Sequence, residues 1–204
     1  MKEFGPLCFI TAPSGSGLSP DYTVITLLEA GVRWVQYREK NKSKREMYYE
    51  ALKLRELTRR FHACFVVNDY ADLALAVDAD GVHLGQDDLP YEEARHLMGN
   101  RIIGISTHSL AEAFEAERMG ADYIGFGPLF PTETKEAGAP KGVDGLREIT
   151  GSVKLPVIAI GGIKAANAAS VFAAGCYGIA VSSGLIQGGP ADNAARLLAL
   201  IAAR

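Results

Sequence analysis

Residues 65–88 read FVVNDYADLALAVDADGVHLGQDD, and this stretch decides the fold. A first apolar run ends at Asn68 and Asp69, and a second apolar run ends at Gly85 and is followed by two further acids. The segment between the two runs is helical in pattern, which predicts a β-α-β unit with parallel strands. Both strands then end on polar residues, and that is where folds of this kind place their sites.

The same alternation recurs along the whole chain. Eight short apolar runs span 7–12, 32–39, 64–69, 81–85, 101–107, 122–127, 156–162 and 178–183. Helical patterns span 20–31, 44–61, 109–120, 165–175 and 191–204, and several of them end at a glycine. Eight strands without a linker predict one α/β domain over residues 1–204, folded as a (β/α)8 TIM barrel. A doubly wound open sheet is the alternative.

Composition limits the classes of partner. The formal charge of -3 gives no global attraction to nucleic acid, and no apolar run reaches the length of about 18 residues that spans a membrane. Nor does the start of the chain resemble a signal peptide. Cys8, Cys64 and Cys176 are odd in number and lie in apolar segments, so we expect reduced core thiols. We therefore expect a cytoplasmic protein with small-molecule ligands and without nucleic-acid or membrane partners. Its oligomeric state is open, with a homodimer as one option.

The second strand ends on a row of donors. In WVQYREK (34–40), alternation places Gln36, Arg38 and Lys40 on one face of the strand and Tyr37 and Glu39 on the other. A guanidinium binds phosphate through two parallel hydrogen bonds, and an ammonium binds it as a point charge. A solvated strand end is the alternative, but three donors on one face favour a bound anion.

Two acids, Asp69 and Asp88, end the third and fourth strands, which are neighbours in a barrel. Convergent carboxylates without His or Cys partners suit Mg²⁺, which completes its shell with water and substrate phosphates. Alternatively, Asp69 caps the following helix and Asp88 is a turn residue before Pro90. Together with the cationic end of the second strand, the metal interpretation is favoured, because a diphosphate needs both.

Glycines and hydroxyls end the later strands. The segments AIGGI (159–163) and AVSSGL (180–185) are typical of a backbone phosphate cradle, although a tight turn alone would also explain the glycine pair. The segment GFGPLFPTETK (125–135) suits a loop that wraps a ligand. Among the histidines, we expect His108 near the mouth of the barrel and His83 as a hydrogen-bonded strand residue.

Taken in order, QYREK, ND followed by DLALAVDADGVHLGQDD, GISTHS, GPLFPTETK, AIGGI and the last pair of serines resemble the thiamine-phosphate synthase (thiamine-phosphate pyrophosphorylase) family. The resemblance runs through nearly the whole chain. It implies a transferase of thiamine biosynthesis. Such an enzyme couples hydroxymethylpyrimidine diphosphate with a thiazole phosphate, or its carboxylated precursor, and gives thiamine phosphate and diphosphate.

The resemblance also implies roles for single residues. Those implied to bind the pyrimidine diphosphate are Gln36, Tyr37, Arg38, Glu39, Lys40, Asn68, Ser106 and Lys135, with Arg38, Lys40 and Lys135 as the catalytic ones. Those implied to bind the thiazole phosphate are Thr132, Glu133, Thr134, Gly162, Ser182 and Ser183. Asp69 and Asp88 would hold the Mg²⁺ cofactor. The chain departs from the family at Ala12, where many relatives carry an acid, and at Ser182.

Two other functions are compatible with the same barrel. A thiazole tautomerase of the same superfamily would use a histidine such as His108 to move a proton, but it has no leaving group and needs no diphosphate site. A regulator that binds thiamine precursors without turnover would not need every charged position intact. A requirement for magnesium would separate the synthase from the tautomerase.

Overall fold

The structure is a computed structural model that describes residues 4–11, 19–132 and 138–204. Its strands are Leu7–Ile10 (β1), Trp34–Tyr37 (β2), Cys64–Asn68 (β3), Gly81–Leu84 (β4), Ile102–Thr107 (β5), Tyr123–Phe126 (β6), Val157–Ile160 (β7) and Gly178–Val181 (β8). Neighbours in the chain pair in parallel, and β1 also pairs with β8, so the sheet closes into a barrel. The predicted TIM barrel is confirmed, and the open sheet is excluded.

Helices alternate with these strands. They are Pro20–Glu29 (α1), Lys44–Arg60 (α2), Ala71–Ala76 (α3), Tyr91–Met98 (α4), Leu110–Met119 (α5), Gly142–Ser152 (α6), Ala165–Phe172 (α7), Ser183–Ile186 (α8) and Pro190–Ala202 (α9). The longest, α2, begins at a capping box in which Ser43 and Glu46 satisfy each other's backbone N–H. Throughout the described ranges, no helix is both long and apolar enough to cross a membrane.

The sheet contributes to two apolar layers, because side chains alternate between its two faces along each strand. Leu7 and Phe9 belong to the larger cluster, which includes side chains of the surrounding helices. The intervening Cys8 belongs to a smaller cluster inside the barrel. There the rings of Phe4 and Trp34 lie 4.7 Å apart between centroids and seal the end of the barrel where the strands begin. The opposite end is left open for polar residues.

An acid at the start of β4 ties three elements together. Asp80 accepts two hydrogen bonds from the guanidinium of Arg55 in α2, at 2.8 and 2.9 Å, and a third from the backbone N–H of Phe65 in β3 at 2.7 Å. Arg55 is 8% exposed, so its charge depends on this carboxylate for compensation.

The same arrangement recurs two strands later. Asp122 directly precedes β6 and accepts hydrogen bonds from Arg95 in α4 at 2.9 Å and from the backbone N–H of Ile103 in β5 at 2.8 Å. Both acids lie where the strands begin, away from the polar strand ends. This end of the barrel is therefore built for stability, as is usual in this fold.

We predict that Asp80→Asn lowers the free energy of unfolding by about 2 to 3 kcal/mol, because it leaves the buried guanidinium of Arg55 without a countercharge. Urea denaturation measures the change. The matched control is Glu115→Gln, which removes an exposed ion pair with Arg118 on one face of α5 and should leave stability almost unchanged. Equal effects of the two substitutions would contradict the role given to Asp80.

Candidate active site

A cleft with a cavity volume of about 120 Å³ opens where the strands of the barrel end. We call it the mouth cleft, and residues from the ends of β1, β2 and β5 to β8 line it. The predicted site residues among its lining are Arg38, Ser106, Thr132, Gly162, Ser182 and Ser183, together with His108. The parallel barrel thus brings together side chains that lie far apart in the sequence.

Thr11 fixes the backbone of Arg38 at the mouth cleft. Its hydroxyl accepts a hydrogen bond from the Arg38 N–H at 2.8 Å and donates one to the Arg38 carbonyl at 3.0 Å. These bonds continue the pairing of β1 with β2 beyond the last strand residue. The guanidinium of Arg38 is half-buried and has no hydrogen-bond or ion-pair partner among the residues that the structure describes. It is therefore available to an anion.

Asp69 is the centre of a charged group at the end of β3. Its carboxylate accepts hydrogen bonds from the ammonium of Lys40 and, at 2.5 Å, from the amide of Asn68. Its backbone is left-handed, with φ of 66°, and its N–H donates to the carbonyl of His83 at 2.8 Å. The carboxylate bonds to these side chains and not to α3, so the capping alternative is wrong for Asp69.

Asp88 lies beside Asp69, in the loop between β4 and α4, four residues beyond the strand end at which the sequence placed it. One of its oxygens accepts the N–H of Gly85 at 2.6 Å, so the turn interpretation holds for this residue. Burial raises the pKa of the Asp88 carboxyl, and Asp69 raises it further through a hydrogen bond and like-charge repulsion. The Gly85 N–H and the charge of Lys40 act in the opposite direction. The two carboxylates are therefore close enough to interact, while a shared metal ion remains a prediction.

The loop after β7 contains two left-handed glycines, Gly161 and Gly162, with φ of 96° and 64°. A Cβ atom on Gly162 would lie 2.6 Å from the carbonyl oxygen of Pro131 and 2.7 Å from the Cβ of Phe130. This glycine therefore lets the loop after β6 pack against the loop after β7. Asn167 holds the turn by donating to the Gly162 carbonyl at 3.0 Å.

The end of β8 completes this side of the mouth cleft. The hydroxyl oxygen of Ser182 is buried and has no hydrogen-bond partner within the described ranges. Ser183 begins the short helix α8. A buried hydroxyl without a partner is costly, and Ser182 is among the residues that line the mouth cleft.

A model of the thiamine monophosphate synthase family matches residues 7–185. The chain belongs to this family. The thiamine-phosphate synthase of Chloroflexus aurantiacus is 53% identical over 188 residues, which cover 90% of this chain and 87% of that protein. The thiamine-phosphate synthase of Archaeoglobus fulgidus is 46% identical over 199 residues, 97% of this chain and 93% of that protein.

A solved structure agrees with the sequence relatives. The thiamine phosphate pyrophosphorylase from Pyrococcus furiosus superposes with a TM-score of 0.89 at 43% identity, covering 97% of this chain and 95% of that one. The predicted barrel fold and the predicted family are both confirmed.

Two residues implied to bind the pyrimidine diphosphate point away from the mouth cleft. Tyr37 is buried in the layer between sheet and helices, and its hydroxyl donates to Glu50 of α2 at 2.7 Å. Glu39 is also buried, and its carboxylate accepts the backbone N–H groups of Lys40 and Asn41 at 2.7 and 2.8 Å. These contacts shape the β2–α2 loop. Side-chain roles for the two residues at the ligand remain predictions.

Other predicted residues are placed as follows. Gln36 is buried inside the barrel below the mouth cleft. His108 lines the cleft and lies 3.2 Å from a carboxylate oxygen of Glu112. His83 is hydrogen-bonded within the barrel, as expected. Predictions that fall outside the described residues are those for Ala12, Glu133, Thr134 and Lys135.

Sequence reasoning missed one residue that lines the mouth cleft and one that supports it from β1. Lys164 follows the glycine pair by two positions and adds a cation to the cleft lining. Its position directly after AIGGI was the available signal, since a basic residue beside a glycine loop suits phosphate. Thr11 was missed because its role depends on the pairing of β1 with β2, which no local pattern shows.

We predict that Asp69→Asn lowers the pKa of Asp88, because the substitution removes a like charge. A raised pKa means that the folded protein holds the Asp88 proton more tightly than the unfolded chain does. The contribution of Asp88 to stability therefore declines as the pH rises from its unfolded to its folded pKa, and the decline should be smaller in the variant. Carboxyl ¹³C NMR measures the titration directly.

The control for this titration is Asp78→Asn, an acid-to-amide change at the opposite end of the barrel. It should leave the titration of Asp88 unaltered. An unchanged or higher pKa of Asp88 in Asp69→Asn would show that the two carboxylates do not interact.

Proposed function

We propose that this protein is a thiamine-phosphate synthase. It joins 4-amino-2-methyl-5-hydroxymethylpyrimidine diphosphate to 4-methyl-5-(2-phosphoethyl)thiazole and forms thiamine phosphate and diphosphate. With the carboxylated thiazole precursor, carbon dioxide is released as well. The observation that carries the proposal is the guanidinium of Arg38. It is half-buried in the mouth cleft and has no partner within the described part of the chain, and it shares this cleft with the glycine loop of β7 and Ser182. The cleft therefore offers places for two anions.

The reaction needs electrostatic help more than a nucleophile. The bond between the pyrimidine methylene carbon and the diphosphate oxygen breaks, and its electron pair leaves with the diphosphate. The methylene carbon becomes a cation, and the lone pair of the thiazole nitrogen forms the new carbon–nitrogen bond. The work of Arg38 and Lys40 is then to stabilise the charge that develops on the diphosphate, and the cleft aligns the two reacting atoms.

Mg²⁺ is the proposed cofactor, held by Asp69 and Asp88. The described residues include no group of three or more His, Cys, Asp or Glu side chains arranged around a metal ion. Mg²⁺ is commonly held by one or two carboxylates together with water and substrate phosphates. The fit is supported by the like charge that raises the pKa of Asp88, since two neighbouring carboxylates favour added positive charge. The Lys40 ammonium bound to Asp69 would turn from this carboxylate to the diphosphate when Mg²⁺ takes its place. A bound Mg²⁺ would offset charge on the departing diphosphate.

The thiazole phosphate is proposed to bind between the loops after β7 and β8. Gly162 and the serines after β8 would contribute backbone N–H groups and hydroxyls, and Lys164 a positive charge. Thr132 lies in the same lining. The position of Gly162 against Phe130 and Pro131 makes it a poor target for mutagenesis, because a side chain there would displace the loop after β6.

The location and assembly also remain proposals. Cys8, Cys64 and Cys176 are buried free thiols, which suits a reducing cytoplasm. Analytical ultracentrifugation of the purified chain gives its mass in solution and so distinguishes a monomer from a homodimer.

The direct test combines both substrates with Mg²⁺ and detects thiamine phosphate by mass spectrometry. We expect product only when both substrates are present, and we expect a chelator to abolish its formation. Isomerisation of a carboxylated thiazole without a pyrimidine substrate would favour the tautomerase and the proton chemistry of His108. Binding of both substrates without any product would favour the regulator.

We predict that Arg38→Ala and Lys40→Ala each slow the chemical step by about 30- to 1000-fold, which corresponds to roughly 2 to 4 kcal/mol of lost charge stabilisation. Single-turnover kinetics measure that step. Lys42→Ala is the matched control, because its ammonium bonds to Glu50 of α2 at 2.6 Å in a separate surface pocket lined by residues of α1 and α2. Weaker binding of both substrates with an unchanged chemical step would contradict the assignment.

We predict that Ser182→Ala weakens binding of the thiazole phosphate by roughly 3- to 10-fold, because the ligand loses one hydrogen bond. Calorimetry with the thiazole phosphate measures this, and a pyrimidine diphosphate analogue that cannot ionise should bind as before. Ser170→Ala, on the exposed side of α7, serves as the control. If Ser182→Ala weakens binding of the pyrimidine analogue and leaves binding of the thiazole phosphate unchanged, the two ends of the cleft are assigned the wrong way round.

A further inference from the structure

We propose that His83 and Tyr123 are positioning residues that turn the hydroxyl of Ser106 into a hydrogen-bond donor toward a ring nitrogen of the pyrimidine substrate. This inference rests on the proposed function and specifies how the substrate ring is recognised. It concerns side chains below the mouth cleft, away from the charged groups that bind the two phosphate-bearing ends.

The three residues form a continuous hydrogen-bonded line. The hydroxyl of Tyr123 lies 2.9 Å from Nδ1 of His83, and Nε2 of His83 lies 2.9 Å from the hydroxyl of Ser106. Tyr123 is 1% exposed and His83 is 7% exposed, whereas Ser106 lines the mouth cleft. The line therefore runs from the closed interior of the barrel to the ligand surface.

Two glycines make room for this line. His83 pairs with Gly104 in the sheet, and Gly104 pairs with Tyr123. Strand β5 therefore lies between the two strands that carry the rings. A Cβ atom on Gly104 would lie 2.1 Å from the Tyr123 ring, and one on Gly125 would lie 3.2 Å from the His83 ring. Without side chains there, the rings stack with centroids 5.4 Å apart across the intervening strand. The contact between the two rings therefore depends on glycine at positions 104 and 125 and on the register of β4, β5 and β6.

The direction of the hydrogen bonds follows from the phenol. Burial raises the pKa of Tyr123 well above its usual value, although Gln36 lowers it, so the phenol keeps its proton at neutral pH. Gln36 also bonds to the phenol and lowers its pKa, as a donor to the phenol oxygen does, so the phenol hydrogen is directed to Nδ1 of His83, which accepts it. A neutral imidazole that accepts at Nδ1 carries its hydrogen on Nε2 and donates to Ser106. The Ser106 hydroxyl hydrogen then points to the ligand.

The backbone of Ser106 is held as well. Gln86 donates to the Ser106 carbonyl at 2.6 Å, so the residue is fixed on its backbone and on its side chain. A fixed donor selects a ligand with an acceptor at that point. On an aminopyrimidine the ring nitrogens accept, whereas the exocyclic amino group mainly donates. Ser106 thus selects both the identity of the ring and its orientation.

The first experiment separates positioning from structure. In His83→Gln the amide nitrogen takes the place of Nε2, whereas in His83→Asn it takes that of Nδ1 and cannot reach Ser106. We expect His83→Asn to raise the KM for the pyrimidine diphosphate by roughly 3- to 10-fold without changing the KM for the thiazole phosphate. His83→Gln should restore most of the loss.

Tyr123→Phe should raise the same KM, because it releases the imidazole to take either tautomer. Its control is Tyr91→Phe, which also removes a buried phenol hydrogen bond, here to the Gly120 carbonyl at 2.6 Å, but outside the barrel. Both variants should lower the melting temperature, and only Tyr123→Phe should alter the KM. Equal KM values in both would overturn the proposal.

The second experiment tests the direction by calorimetry with non-ionising analogues. In two analogues one ring nitrogen is replaced by CH, and in a third the amino group is absent. One of the first two should bind wild-type protein about tenfold more weakly than the parent, and Ser106→Ala should abolish that difference. If the analogue without the amino group shows this pattern, Ser106 accepts, and the inferred direction is wrong.

Failure of this inference is distinguishable from failure of the proposed function. If wild-type protein forms no thiamine phosphate, the function is wrong and the inference falls with it. If wild-type protein forms product and His83→Asn has an unchanged KM for the pyrimidine diphosphate, only the positioning role is wrong.

Discussion

Parallel pairing of β1 with β8 is the constraint on which the site depends. Because the barrel closes, all eight strands end on the same side, and polar residues that follow different strands must share one cleft. Arg38 and Ser182 are far apart in sequence, yet both line that cleft. The acids that tie helices to the sheet lie at the other end, so stability and ligand binding occupy opposite ends of one short barrel.

Charge at the mouth is arranged before any substrate binds. The Lys40 ammonium is bound to Asp69, and Asp88 lies close enough to Asp69 for the Asp69 charge to raise the pKa of Asp88. The groups that would face a diphosphate are thus held by each other and by loop hydrogen bonds, which lowers the cost of reorganising them during the reaction. Thr11 likewise fixes the position of Arg38, through two hydrogen bonds to its backbone. The rigid barrel therefore contributes to the chemistry through positions that never touch a ligand.

Sequence reasoning found what local patterns encode. Apolar runs identified every strand, and alternation along β2 correctly separated Arg38, which lines the cleft, from Tyr37 and Glu39, which pack against other parts of the protein. It did not reveal the line from Tyr123 to Ser106, since that contact needs the register of three strands. The signal that was available lay in Gly104 and Gly125, because glycine inside a strand marks a place where something else comes close.

The left-handed backbone of Asp69 sets a conflict between robustness and activity. At a φ of 66° a residue with a Cβ atom costs more than glycine, so selection for folding alone would favour glycine at this position. A glycine would relax the turn but would remove the carboxylate that holds Lys40. Attempts to make this protein more heat-resistant should therefore leave position 69 untouched, even though it is among the positions where a gain in stability is easiest to obtain.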